Sequence, residues 1–176
     1  MNLEQEFLQN VIKRVIYYKA LGDKTFVQLS DTDLHFQPNE ESNSIALIIQ
    51  HMAGNMLSRW TDLLDSDGEK EWRNRDQEFE EQQLSREALI ALWEKGWACF
   101  IGALHRLTEN DLEKMITIRQ EGLSVMDAIL RQLAHYPYHV GQIIYTAKII
   151  KENNWINLSI AKGASTLFND KMKSGK

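Results

Sequence analysis

The chain has 176 residues, enough for one domain with a sizeable core, and its 43% hydrophobic and 26% charged residues are ordinary globular values. Only 2 Pro and 9 Gly leave few breakers for an all-β fold, while a net charge of −5 without clustered Lys and Arg opposes binding to a nucleic-acid backbone. The start, Met1-Asn2-Leu3-Glu4-Gln5-Glu6, has no basic stretch leading into an apolar one, and Asp127 and Arg131 interrupt the longer apolar runs; no membrane segment is predicted, and a cytoplasmic location is expected.

Leu3, Phe7, Leu8, Val11, Ile12, Val15 and Ile16 recur at helical spacing, which predicts an amphipathic helix over roughly the first two dozen residues. A polar stretch from Ser30 to Asn43, containing Pro38, ends that period, and Ser44 is placed to cap a second helix running to about Leu64. From Asp65 to Gln83 the chain is charged, contains Gly68 and has no sustained period, so a long connection is expected. Ser85 caps a third predicted helix, whose Leu89, Trp93, Trp97, Phe100, Ile101 and Leu104 share one face. The alternation around Met115 to Leu123 reads as a short extended turn. Ser124 then caps a fourth helix to about Lys151, and a short helix is expected near Ser165. Four amphipathic helices bury their stripes economically only against one another, so the expected architecture is an all-α four-helix bundle, one domain over residues 1–176. The long connections disfavour a simple meander.

On the fourth helix, His135 and His139 are four residues apart, which puts two imidazoles on one face, one turn apart. A helical wheel assigns Met126, Leu130, Leu133, Val140 and Ile144 to the apolar seam, and the histidines to a separate row with Ala128, Gln142 and Thr146. On the second helix the seam is Ile45, Ile49, Met52, Met56, Trp60 and Leu63. His51 lies beside Ser44, Asn55 and Ser58, a polar row without charge until Asp62. Such rows suit a shared half-buried groove better than a solvated face. A lone helical histidine is more often a hydrogen-bonded boundary residue than a ligand, so spacing by itself leaves both readings open.

The segments Ser42-Asn43-Ser44-Ile45 followed by His51-Met52-Ala53-Gly54-Asn55-Met56, and Leu133-Ala134-His135-Tyr136-Pro137-Tyr138-His139-Val140-Gly141-Gln142-Ile143, resemble the two signature segments of the DinB-like superfamily, whose members are regarded as metalloenzymes. Ser58-Arg59-Trp60, the run from Asp67 to Phe79, and Leu158-Ser159-Ile160-Ala161-Lys162-Gly163 extend the likeness to a bacillary branch of unknown function. The resemblance covers nearly the whole chain. It implies one divalent transition metal held by His51, His135 and His139, an up-down-down-up helix order, and a homodimer. Three imidazoles with a vacant position form an open, catalytic-type site, and all-nitrogen ligation suits zinc, nickel, copper or iron and disfavours magnesium or calcium; zinc or nickel is expected.

Some DinB-like relatives are transferases or isomerases that use a small thiol such as bacillithiol or mycothiol. The resemblance therefore implies a metal that favours the thiolate and presents it to a small electrophile. Metal-dependent hydrolysis and non-catalytic, stress-associated metal binding are the alternatives. Asn55 and Gln142 could orient a ligand or a bound molecule, or simply make boundary hydrogen bonds. The run Trp72-Arg73-Asn74-Arg75-Asp76 reads as a solvated connection or as a flap that offers Arg73 or Arg75 to an anionic substrate. Pro137 predicts a kink, which either aims the histidines or accommodates packing near Gly141. Cys99 is alone, which excludes an intrachain disulfide, and its apolar neighbours mark it as a packing thiol. His35 and His105 have no partner ligand in sequence.

Overall fold

In the computed structural model, residues 2–174 are described, so the outermost residues of the expected 1–176 domain lie outside it. The chain is mostly helical: α1 (Leu3–Phe26), α2 (Asp31–Leu34), α3 (Ile45–Trp60), α4 (Arg86–Arg106), α5 (Val125–Lys151) and α6 (Ser165–Lys173). Between α4 and α5, the antiparallel strands β1 (Met115–Ile118) and β2 (Glu121–Ser124) make the extended turn expected from sequence into a two-stranded hairpin. Among the described residues no helix is long and apolar enough to cross a membrane.

Each long helix begins at a side chain that accepts a hydrogen bond from the first turn: Asn2 from Gln5, Ser44 from Leu47, Ser85 from Ala88 and Ser124 from Asp127. Ser44, Ser85 and Ser124 are the caps read from the sequence. The expected end at Leu64 is four residues late, because Thr61 turns into extended backbone and Asp62 adopts a φ of 48°, which stops α3 at Trp60.

The four long helices pack α1 on α5, α5 on α3, α3 on α4 and α4 on α1. α3 and α4 pack tightly at Gly96, where a Cβ would lie 2.9 Å from the Ala53 backbone. An aromatic cluster of Trp60, Trp97, Phe100 and Tyr136 fills the interior, with ring centroids of Trp60 and Phe100 4.5 Å apart and of Phe100 and Tyr136 5.0 Å apart. α3 is buried nearly all round, and its predicted seam is buried throughout. The wheel for α5 needs correction. Leu130 is 48% exposed, and the buried stripe runs through Val125, Ile129, Gln132, Tyr136, Val140, Ile143 and Ala147. Packing against α1 and α3 together rotates this helix towards its histidine row, so the row itself faces the interior.

Two connections shape the region beside that row. The segment after α3 docks on the hairpin through a bond from the Gly68 amide to the Thr117 carbonyl (2.8 Å), and it includes a 3-10 turn, Asp76–Phe79, that packs on α3. The connection is therefore folded back over the histidine face, and its charged residues are placed where helices alone would leave an open groove.

Candidate metal centre

His51 comes from the middle of α3, and His135 and His139 from successive turns of α5. The three rings meet. The Nε2 of His135 lies 3.4 Å from that of His51 and 3.0 Å from that of His139, and the three offered nitrogens are all within 4.8 Å of one another. Two imidazole nitrogens bound tetrahedrally to one zinc, at about 2.0–2.1 Å each, stand about 3.3 Å apart, so the spacing fits a shared ion.

The other ring nitrogens account for the orientation. Nδ1 of His51 faces Oε2 of Glu78 at 3.0 Å, Nδ1 of His139 faces Oε1 of Gln142 at 2.7 Å, and Nδ1 of His135 faces Oε1 of Gln132 at 3.4 Å. An ionised carboxylate only accepts, so His51 carries its proton on Nδ1 and turns the Nε2 lone pair towards the other two rings. The amide oxygens direct the remaining histidines in the same sense. Three lone pairs then converge with no donor between them, an arrangement that a cation relieves. A proton is a poor substitute: burial first, then the neighbouring histidines, pushes His135 down to about 3. For His139, burial is again the main cause of a fall to about 4, with the Gln142 bond opposing it and His51 adding to it. The residues present therefore fit a divalent metal of the kind imidazole binds.

Glu78 is the residue sequence reasoning missed. It sits in the 3-10 turn, its side chain is 9% exposed, and it also accepts from Nε of Arg73 at 2.7 Å and Nη2 at 2.9 Å. Burial works against its charge, but the bonds from His51 and Arg73 outweigh it and hold the carboxyl below the usual range. Gly54 makes room for this carboxyl, since a Cβ at position 54 would overlap it. The ring of Phe79 lies against His51 at 4.8 Å between centroids, tilted by 30°. Glu78 belongs to a stretch without periodicity, so no sequence signal marked it; Gln132 was missed as well, although its place three residues before His135 mirrors that of Gln142 after His139 and could have marked it.

Gln142 does orient a ligand histidine candidate, and it also donates from Nε2 to the Tyr138 hydroxyl (3.0 Å). Asn55 is hydrogen-bonded away from the three rings: its Oδ1 accepts from Tyr136 Oη (3.0 Å), which in turn accepts from Trp60 Nε1 (3.2 Å). It does line the cavity beside the histidines, about 470 Å³ in volume and walled by His51, His135, Tyr138 and several arginines. Arg73 and Arg75 both line that wall, with Arg73 tied to Glu78 and Arg75 stacked over Phe79 at 5.1 Å. α5 continues through Pro137, and a Cβ on Gly141 would meet nothing within 4 Å.

The remaining candidates separate from the site. His35 bonds Glu81 and the Leu84 carbonyl at 3.0 Å each. His105 sits exposed in the last turn of α4. Cys99 is half-buried, with its sulfur 3.5 Å from Thr61 Oγ1 and 3.9 Å from the Met56 carbonyl. No curated protein and no solved structure matches the chain significantly. One family does, over residues 2–164, and with nearly the whole chain covered the protein belongs to the family described as "Protein of unknown function (DUF1572)".

Proposed function

We propose that this is a four-helix-bundle metalloprotein of the DinB-like type, in which His51, His135 and His139 hold one divalent transition metal, zinc or nickel, and that it transfers a small-molecule thiol to an electrophile. The observation that carries the metal is the convergence of three Nε2 atoms, each backed by an acceptor on its own Nδ1. When bound, the ion supplies the positive charge that favours thiolate over thiol at neutral pH.

The cavity wall supports the thiol reading over hydrolysis. Among the described residues that line it there is no Cys to act as nucleophile and no Asp or Glu to act as general base to a metal-bound water, which favours a nucleophile that arrives as the thiol. Glu78, the nearest carboxylate, is engaged by His51 and Arg73 and held ionised behind the rings, where it orients His51. Gln142 holds His139 in the same way, and Tyr138 closes one side of the cavity. The homodimer implied by the resemblance is part of this reading, and light scattering of the metal-loaded protein tests it.

Metal analysis of untagged protein tests the site. His51→Ala, His135→Ala and His139→Ala should each lose most bound metal, whereas His35→Ala and His105→Ala should retain it; equal retention in all five refutes the triad. Wild-type protein with full metal should then turn over a thiol with an electrophile, and His135→Ala should not. Cleavage of an ester or amide without thiol would favour the hydrolase instead, and a metal-filled but inert protein would favour a binding role.

A further inference from the structure

The cavity beside the histidines carries a charge that holding a metal does not require. In a chain of net charge −5, its wall presents five guanidinium groups, from Arg59, Arg73, Arg75, Arg119 and Arg131, and no carboxylate among the described residues. They come from α3, the connection after it, the hairpin turn and α5, so no single helix face explains their gathering.

Two of the five have structural duties. Arg59 Nη1 donates to the Gly68 carbonyl (2.6 Å) and to Glu69 (2.7 Å), and Arg73 is bound to Glu78. Even so, Nη1 of Arg73, in a side chain only 2% exposed, is buried without a hydrogen-bond partner, its nearest carboxylate oxygen being 3.6 Å away on Glu69. Arg75 has its guanidinium over Phe79, Arg131 makes no ion pair among the described residues, and Arg119 commits only Nε, to Glu69 at 3.1 Å. Glu69 and Glu78 are the carboxylates paired with the five, which leaves three positive charges uncompensated even before a metal is counted.

Arg119 is held there against backbone preference. The two-residue hairpin turn places Arg119 at φ 56° and Gln120 at φ 64°, a left-handed pair that Asn-Gly ordinarily fills, and neither residue is glycine. Asp67 clamps the turn by accepting from both amides at 2.9 Å. Arg131 and Arg73 line the same cavity as His135. A guanidinium fork matches the planar oxygens of carboxylate and phosphate, and it does so bidentately where lysine offers a point charge. The volume of about 470 Å³ admits a small metabolite rather than a polymer.

We propose that this cavity takes a small molecule with at least two negative charges on oxyanion groups, carboxylate or phosphate, bound by Arg75, Arg119 and Arg131. The inference rests on the reading of the cavity as the substrate site. It is tested by calorimetric titration of the full chain, metal-loaded and metal-free, with succinate, inorganic phosphate and neutral succinamide at fixed ionic strength. Succinate or phosphate should bind and succinamide should not, and the tighter of the two anions names the oxyanion group. Arg119→Gln and Arg131→Gln should each weaken that binding about tenfold, as expected for one charged hydrogen bond, with metal content unchanged, while Arg14→Gln on α1 should not. Equal binding of succinamide, no binding of either anion, or variants that bind like wild type would overturn the proposal while leaving the metal centre standing. Arginine-dependent anion binding by a protein that takes up no metal would do the reverse.

Discussion

At the scale of single residues, the centre depends on which nitrogen of each histidine is free. Glu78 decides this for His51, because a carboxylate facing Nδ1 at 3.0 Å requires the proton there and sends the lone pair of Nε2 inward. Glu78→Gln keeps the size of the side chain but lets the amide donate as well as accept, and it leaves Arg73 buried with a weaker partner. Metal affinity should fall by about 10–100-fold, the usual cost of losing such an orienting partner, with the circular dichroism spectrum retained. Competition against a chromophoric chelator measures it. An affinity equal to that of the wild type would mean that His51 is oriented by packing against Phe79 alone.

At the scale of elements, α3 and the 3-10 turn meet at Gly54. Alanine at an ordinary helix position is preferred over glycine by about 1 kcal/mol, so on propensity alone Gly54→Ala should stabilise α3. Here the added methyl overlaps the Glu78 carboxyl, which is pinned by two partners and has little freedom to swing aside. The expected outcome is therefore a split: an unfolding midpoint in urea no lower than that of the wild type by more than a small margin, together with a loss of metal affinity comparable to that of Glu78→Gln. Loss of stability with affinity intact would show that the turn, rather than the carboxyl, yields to the methyl.

At the scale of the whole molecule, acid should weaken the metal-free fold. His135 and His139 titrate near 6.5 when unfolded but at about 3 and about 4 in the fold, burial being the main cause of each fall. Between roughly pH 6.5 and pH 4 the unfolded chain binds protons that the native chain does not, so stability declines as pH falls through that window. Glu78, lowered by its partners, adds a loss of the same sign at more acid pH. Melting temperatures of the metal-free protein should thus be flat above about pH 7 and drop below it. Added zinc should raise them at neutral pH and progressively less on acidification, because only neutral imidazole binds it. A zinc-induced shift that persists unchanged at about pH 5 would mean that groups other than histidine hold the ion.

The long helices and their serine caps were legible in the sequence because capping and 3.6-residue periodicity are local: each is satisfied within a few neighbours. The histidine rows were legible for the same reason, since Ser44, Asn55 and Ser58 beside His51, and Gln142 beside His139, mark a face too polar for the core and too uncharged for solvent. The seam of α5 was misplaced because burial there is set by two neighbouring helices at once, a property no single wheel contains; hence exposed Leu130 and buried Gln132. Only the tertiary structure decided that the aperiodic connection folds back to bring Glu78 onto His51, and that a strained hairpin turn brings Arg119 to the same cavity. Both contacts join residues far apart in sequence through irregular backbone, where no repeating geometry relates spacing along the chain to position in space.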